Sequence, residues 1–94
     1  MINVEGLNRV TKLEKKGKVI IGVLYNSYQK YDKVGEYETE FVQCRFVGEA
    51  AKTMENVADK SKVYISEGCL RMQKNKYPVI TVFKCTLNVD SMTR

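Results

Sequence analysis

The residues best suited to chemistry lie in an alternating segment between positions 36 and 47. One set of alternate positions is aromatic, polar, basic or aliphatic and has no acidic member: Tyr37, Thr39, Phe41, Gln43, Arg45 and Val47. The other set begins with glutamates and ends with residues typical of a core: Glu36, Glu38, Glu40, Val42, Cys44 and Phe46. Such alternation predicts a β-strand. Its first face, with two aromatic rings and an arginine, suits a ligand that is flat and negatively charged.

Basic residues crowd two predicted turns. The first turn holds Lys12, Lys15, Lys16 and Lys18. The second holds Arg71, Lys74 and Lys76, next to Tyr77. Two further aromatics, Tyr28 and Tyr31, alternate with lysines in a predicted loop after the second strand. Cations along a groove replace the counterions of phosphates, and exposed aromatic rings stack on unpaired bases.

These residue types together predict binding of a single-stranded nucleic acid. The candidate binding residues are Lys12, Lys16, Lys18, Tyr28, Tyr31, Tyr37, Phe41, Arg45, Arg71, Lys74, Lys76 and Tyr77. For each of them, an explanation by packing or solvation alone stays open. Phe41 could pack beneath a helix, the tyrosines could be solvated or pack across strands, and a charged turn is often only a hydrated one.

Composition favours one small domain with a polyanionic partner. The chain has 94 residues, 44% of them hydrophobic and 29% charged, so we treat residues 1–94 as one domain. Sixteen basic residues outnumber eleven acidic ones, which leaves a net charge of +5, and twelve of the sixteen are lysines. Lysines act as flexible point charges and suit a phosphate backbone. Solubility alone is a second explanation of this charge.

The sequence lacks residues that common enzyme reactions require. The chain has no histidine, so zinc sites with histidine, Ser–His and Cys–His pairs and histidine acid/base catalysis are excluded. The tightest set of carboxylates, Glu36, Glu38 and Glu40, lies opposite the aromatic face. We expect a protein that is not an enzyme and needs neither a metal nor a cofactor.

Three cysteines at wide spacing, Cys44, Cys69 and Cys85, lie in apolar stretches. An odd number in such surroundings predicts free buried thiols in a reducing compartment. From the first residues and the lengths of the apolar runs we expect neither a secretory leader nor a membrane span. We expect the cytoplasm, at the nucleoid or at replication sites.

The order of elements predicts the fold. Apolar and β-branched runs predict strands over 2–13, 18–25, 36–47, 63–73 and 78–87, with a bend at Gly6 and a bulge near Gly68. A three-to-four spacing of apolar residues predicts one helix over 48–59. The fold class is therefore all-β with one helix between strands 3 and 4. That order is typical of the OB-fold, a five-stranded Greek-key barrel.

Several segments resemble the bacterial and phage single-stranded DNA-binding protein family. They are Phe41 to Gly48, Glu55-Asn56-Val57-Ala58, Lys62-Val63-Tyr64-Ile65 and Gly68-Cys69-Leu70-Arg71. The resemblance implies an OB-fold, sequence-independent binding of single-stranded DNA in replication or recombination, and a stacking role for the aromatic at position 41. It also implies an oligomer, and we expect a homodimer or homotetramer joined through an edge of the first strand.

The chain also departs from the family pattern. It has no tryptophan, the loop between the last two strands is short, and we expect no acidic tail that recruits other proteins. This short form resembles a phage or mobile-element protein. An OB-fold accessory factor for primosome assembly and a purely protein-binding module remain alternatives, and RNA remains an alternative ligand.

Overall fold

The computed structural model describes residues 4–29, 34–72 and 77–87. The elements, in chain order, are β1 (Gly6–Lys16), β2 (Val19–Gln29), β3 (Tyr37–Phe46), α1 (Glu49–Thr53), β4 (Lys62–Met72) and β5 (Pro78–Thr86). The predicted order of five strands and one helix is therefore confirmed. No helix in the described ranges is long and apolar enough to cross a membrane.

The five strands close into a barrel in the order β1-β2-β3-β5-β4. β3 and β5 run parallel, and the other neighbouring strands pair antiparallel. With α1 between β3 and β4, this is the predicted OB-fold. Closure matters for the site because it gives the sheet two distinct surfaces. The inner surface packs into the core, and the outer surface stays outside the barrel.

Every strand contributes residues to the core, at alternate positions in β3, whereas β5 buries Val79 to Val82 in succession. Val10, Leu24 and Phe46 are fully buried, and the alternation in β3 leaves Arg45 exposed between the buried Cys44 and Phe46. The alternating pattern therefore predicted correctly which face of β3 points inward.

The cysteines are free thiols, as predicted, but they differ in burial. Burial raises the pKa of Cys44 to about 12 and that of Cys85 to about 11. Cys69 is only half-buried, so its predicted core position is wrong.

The helix is shorter than its apolar spacing predicts. It ends at Thr53, and the chain turns from Met54 onwards instead of continuing to Asp59. The apolar spacing did identify the inward residues, since Ala50 and Met54 are buried and Val57 packs against the core from outside the helix. The inward positions thus keep their three-to-four spacing beyond the point where the helix ends.

β1 contains a bulge that the sequence did not predict. The register between β1 and β2 shifts between Thr11 and Glu14, and Lys12 adopts a positive φ of 55°. Gly22 faces this place across the ladder, where a Cβ would lie 3.0 Å from Leu13 Cδ2 and 3.2 Å from the Thr11 carbonyl oxygen. Glycine at position 22 thus lets β1 bend over β2.

The expected free edge of the first strand is partly used by the barrel itself. β1 pairs with β4 over Gly6–Arg9 and with β2 over Arg9–Lys16. The edge of Gly6–Arg9 that faces β4 is closed to a symmetry mate, because the barrel itself uses it. The homo-oligomer stays a prediction.

The predicted bulge near Gly68 is confirmed, since the register between β4 and β5 shifts on both sides of Glu67. A Cβ at Gly68 would lie 2.5 Å from the Val4 carbonyl oxygen and 3.0 Å from Ile65 Cγ2. Real Cβ atoms do not come so close to backbone oxygen. The N-terminal segment and β4 therefore pack in contact only because this residue has no side chain.

Replacement of Gly68 by alanine should lower the free energy of unfolding by about 1–3 kcal/mol, because the new methyl group overpacks this contact. Urea denaturation measures the change. Ser66→Ala, at an exposed position on the same strand, is the control and should stay within about 0.5 kcal/mol of the parent. Equal stability of all three proteins would contradict the steric argument.

Candidate nucleic-acid interface

The outer face of β2 and β3 is a continuous two-stranded surface. The ladder runs without a register shift from the Ile20–Phe46 pair to the Gln29–Tyr37 pair. The outward pairs are Ile21–Arg45, Val23–Gln43, Tyr25–Phe41, Ser27–Thr39 and Gln29–Tyr37. Eight residue steps of about 3.3 Å give this face a length of roughly 26 Å. In OB-folds generally, the face of strands 2 and 3 with its flanking loops binds oligonucleotides.

Two aromatic rings stack at the middle of this face. The ring centroids of Tyr25 and Phe41 lie 6.0 Å apart with 28° between the ring planes. Phe41 is 64% exposed, so it does not pack beneath the helix. An offset pair with one face open to solvent is a ready platform for a further flat ring.

A groove of 370 Å³ begins next to this stacked pair, on the side towards Arg45. Lys12, Arg45 and Tyr77 line it together, and Ile21 and Val23 contribute apolar surface. Three candidates that are distant in sequence therefore meet at one place. Their convergence depends on barrel closure, because they come from β1, from β3 and from the residue before β5.

Arg71 shares this outer face. It lies opposite Val79 in the β4–β5 ladder, and Val79 lies opposite Gln43 in the β3–β5 ladder. Its side chain is exposed. The face thus carries basic residues on β1, β3 and β4, arranged around the groove.

The bulge in β1 is held by an acidic residue. The Thr11 hydroxyl donates to Asp59 Oδ1 at 2.6 Å, and the Lys12 backbone N–H donates to the same oxygen at 3.1 Å. The Thr11 bond, the Lys12 bond and the nearby Lys60 charge hold the pKa of Asp59 below its ordinary 3.8. Bulges commonly redirect a side chain next to a binding site. Asp59 therefore positions Lys12, although it touches no part of the groove itself.

Tyr28 does not join the stacked pair. β2 extends to Gln29, so the predicted loop position of Tyr28 is wrong. Alternation puts it on the opposite face from Tyr25, where its hydroxyl donates to Glu38 Oε2 at 2.8 Å. That hydrogen bond raises the pKa of Tyr28. The loop prediction was wrong because the polar residues after Tyr25 still pair with β3 in the β2–β3 ladder.

The remaining candidates are scattered. Lys16 pairs with Glu14 at 3.2 Å, and Lys18 lines a separate hollow beside α1. Tyr37 is 67% exposed at the far end of the outer face. Tyr31, Lys74 and Lys76 lie outside the described residues.

The structure adds Tyr25 and Arg9 to the site. Tyr25 is half-buried beneath Phe41, and Arg9 lies opposite Tyr25 in the β1–β2 ladder. Alternation within β2 already grouped Tyr25 with Ile21 and Val23, but nothing in the sequence says which group faces outward. Among the residues described, none form a group of three metal-ligating side chains.

The fold resembles that of the protein PriB from Ralstonia solanacearum. The superposition covers 87% of this chain and 92% of that one, with a TM-score of 0.63 and 12% sequence identity. At this identity the likeness shows the fold alone. No protein-family model matches the chain, and no curated protein matches its sequence.

The Asp59 contacts predict a pH-dependent contribution to stability. The folded pKa of Asp59 lies below its unfolded value, so its stabilising effect is present above about pH 4 and is lost as pH falls through the folded pKa. Asp59→Asn should therefore be less stable than the parent at pH 7, and the difference should shrink at pH 3. Urea midpoints of both proteins at the two pH values measure this. An equal difference at both would contradict the role of the carboxylate.

Proposed function

We propose that this protein binds single-stranded DNA without catalysis and largely without sequence preference, in replication or recombination. The observation that carries the proposal is the exposed Tyr25–Phe41 stack beside a groove lined by Lys12 and Arg45. Stacking platforms and cationic grooves are the two parts that sequence-tolerant binding requires. The free thiols suit a reducing cytoplasm.

The two parts have different tasks. An unpaired base stacks on Phe41, which gives affinity of roughly 1–3 kcal/mol with little dependence on the base. Lys12, Arg45 and Arg71 contact the phosphates that flank the stacked base. The ion pairs with these phosphates release condensed counterions, so they contribute affinity that falls with salt.

Duplex DNA fits this face poorly. Its bases are stacked on each other and offer no free ring to Phe41. The only described helix, α1, has five residues and packs against β5, so the described part of the site offers no helix that could enter a major groove. The geometry therefore favours unpaired strands.

An accessory factor for primosome assembly would use the same fold differently. It would bind single strands and also hold other replication proteins, which a pull-down with those proteins detects. A purely protein-binding module would instead show little salt-dependent affinity for oligonucleotides. DNA affinity and its salt response are thus the first quantities to measure.

Single-stranded oligo-dT should bind more tightly than a duplex of equal length. Its affinity should also fall steeply between 50 and 200 mM salt, because the logarithm of the binding constant falls by about 0.7 per unit of log salt concentration for every phosphate contacted. Fluorescence anisotropy at several salt concentrations, with oligo-U alongside, measures both effects. Equal affinity for duplex and single strand, or a flat salt response, would contradict the proposal.

Phe41→Ala should weaken binding of oligo-dT by roughly 5- to 150-fold, which is the loss of one stacked base. The protein should stay folded, because the Phe41 side chain is mostly exposed. Phe83→Ala is the matched control: Phe83 is 41% exposed and follows the last β3–β5 pair, Phe46–Val82. Similar losses in both variants would remove Phe41 from the site.

A further inference from the structure

A second cleft lies on the other side of the stacked pair from the groove. Its volume is 280 Å³, and it is lined by Arg9, Tyr25, Asn26, Ser27 and Lys60. It lies where β1 and β2 meet the connection from α1 to β4. Tyr25 lines this cleft and also stacks on Phe41, so the cleft and the groove share one aromatic platform.

The cleft has a positioned cation. Arg9 Nη1 donates to the Lys60 carbonyl oxygen at 3.2 Å. The Lys60 backbone is itself fixed, because its N–H donates to the Val10 carbonyl oxygen at 2.8 Å. A guanidinium has five N–H donors in a rigid fork, and this bond uses one of its nitrogens. An arginine held in this way loses little entropy when the rest of its fork binds an oxyanion.

The charge around the cleft favours an anion. Arg9 and Lys60 are both cationic, and Arg9 lies opposite Lys62 in the β1–β4 ladder. Asp59 is the nearby acid, and its carboxylate already accepts hydrogen bonds from Thr11 and Lys12. Arg9 is the stronger ligand of the two cations, because the Lys60 carbonyl oxygen holds its guanidinium in place and the rest of its fork of donors can bind an oxyanion.

We propose that this cleft is a second phosphate subsite, in which Arg9, assisted by Lys60, binds the backbone of a strand whose bases reach Tyr25 and Phe41. The inference rests on the proposed function and extends it. A bound single strand then crosses the barrel from the groove at Lys12 and Arg45, over the stacked pair, to the cleft. A strand too short to reach the cleft is held by the groove and the stack alone.

An oligo-dT length series tests this path. Wild-type affinity should rise in a step at the length that first reaches the cleft. Arg9→Gln should abolish that step and weaken binding of longer strands about fivefold at 0.1 M salt, with a salt slope smaller by about 0.7, the value for one phosphate on a single strand. Binding of the shortest strands should not change.

Two controls accompany the series. Lys84→Gln removes a cation that pairs with Glu67 at 3.3 Å, and it should keep the wild-type step and slope. Arg9→Lys keeps the charge and should retain most of the slope while losing part of the step. Thermal melting confirms that each variant is folded.

The outcomes separate the two proposals. If the wild-type protein binds no oligonucleotide of any length, the proposed function fails. If it binds, and Arg9→Gln keeps the wild-type length profile and salt slope, the second subsite is wrong and the function stands. Equal weakening at every length with an unchanged slope would assign Arg9 a structural role and would also overturn the subsite.

Discussion

The double pairing of β1 is the constraint on which the rest of the structure depends. The strand pairs with β4 over Gly6–Arg9 and with β2 over Arg9–Lys16, so it must change direction as it passes from one partner to the other. The bulge at Lys12 makes that change, and a positive φ on a residue with a side chain persists only where its surroundings hold it. Asp59 supplies that support, and Gly22 leaves the space.

This constraint links the barrel to its surface chemistry. The bend closes the barrel, and closure brings Arg45 of β3 and Tyr77, the residue before β5, to the place where Lys12 emerges. The stacked pair does not depend on barrel closure, because Tyr25 and Phe41 are direct partners in an unbroken antiparallel ladder. The aromatic platform is therefore a local feature of one hairpin, and the cationic groove is a property of the closed fold.

The same distinction explains what could be predicted from the sequence. Alternation in β3 was enough to put Phe41 and Arg45 on the outer face, since a strand has a fixed period of two. The partner Tyr25 was missed because its orientation depends on register with β3. Tyr28 was assigned to a loop because its neighbours are polar and lack the apolar pattern that identifies a strand. The role of Asp59 could not be predicted, because it depends on a contact with Thr11 across 48 positions of the chain.

The burial of the thiols has a practical consequence for handling the molecule. Thiolates are the form that reacts with alkylating reagents, and the pKa values of about 12 for Cys44 and about 11 for Cys85 keep both protonated at neutral pH. Cys69 remains as the accessible thiol of the three, and it lies opposite Thr81, which itself lies opposite Arg45. A maleimide dye on Cys69 would therefore report from β4, two strands across from Arg45 of the groove, without any engineered cysteine.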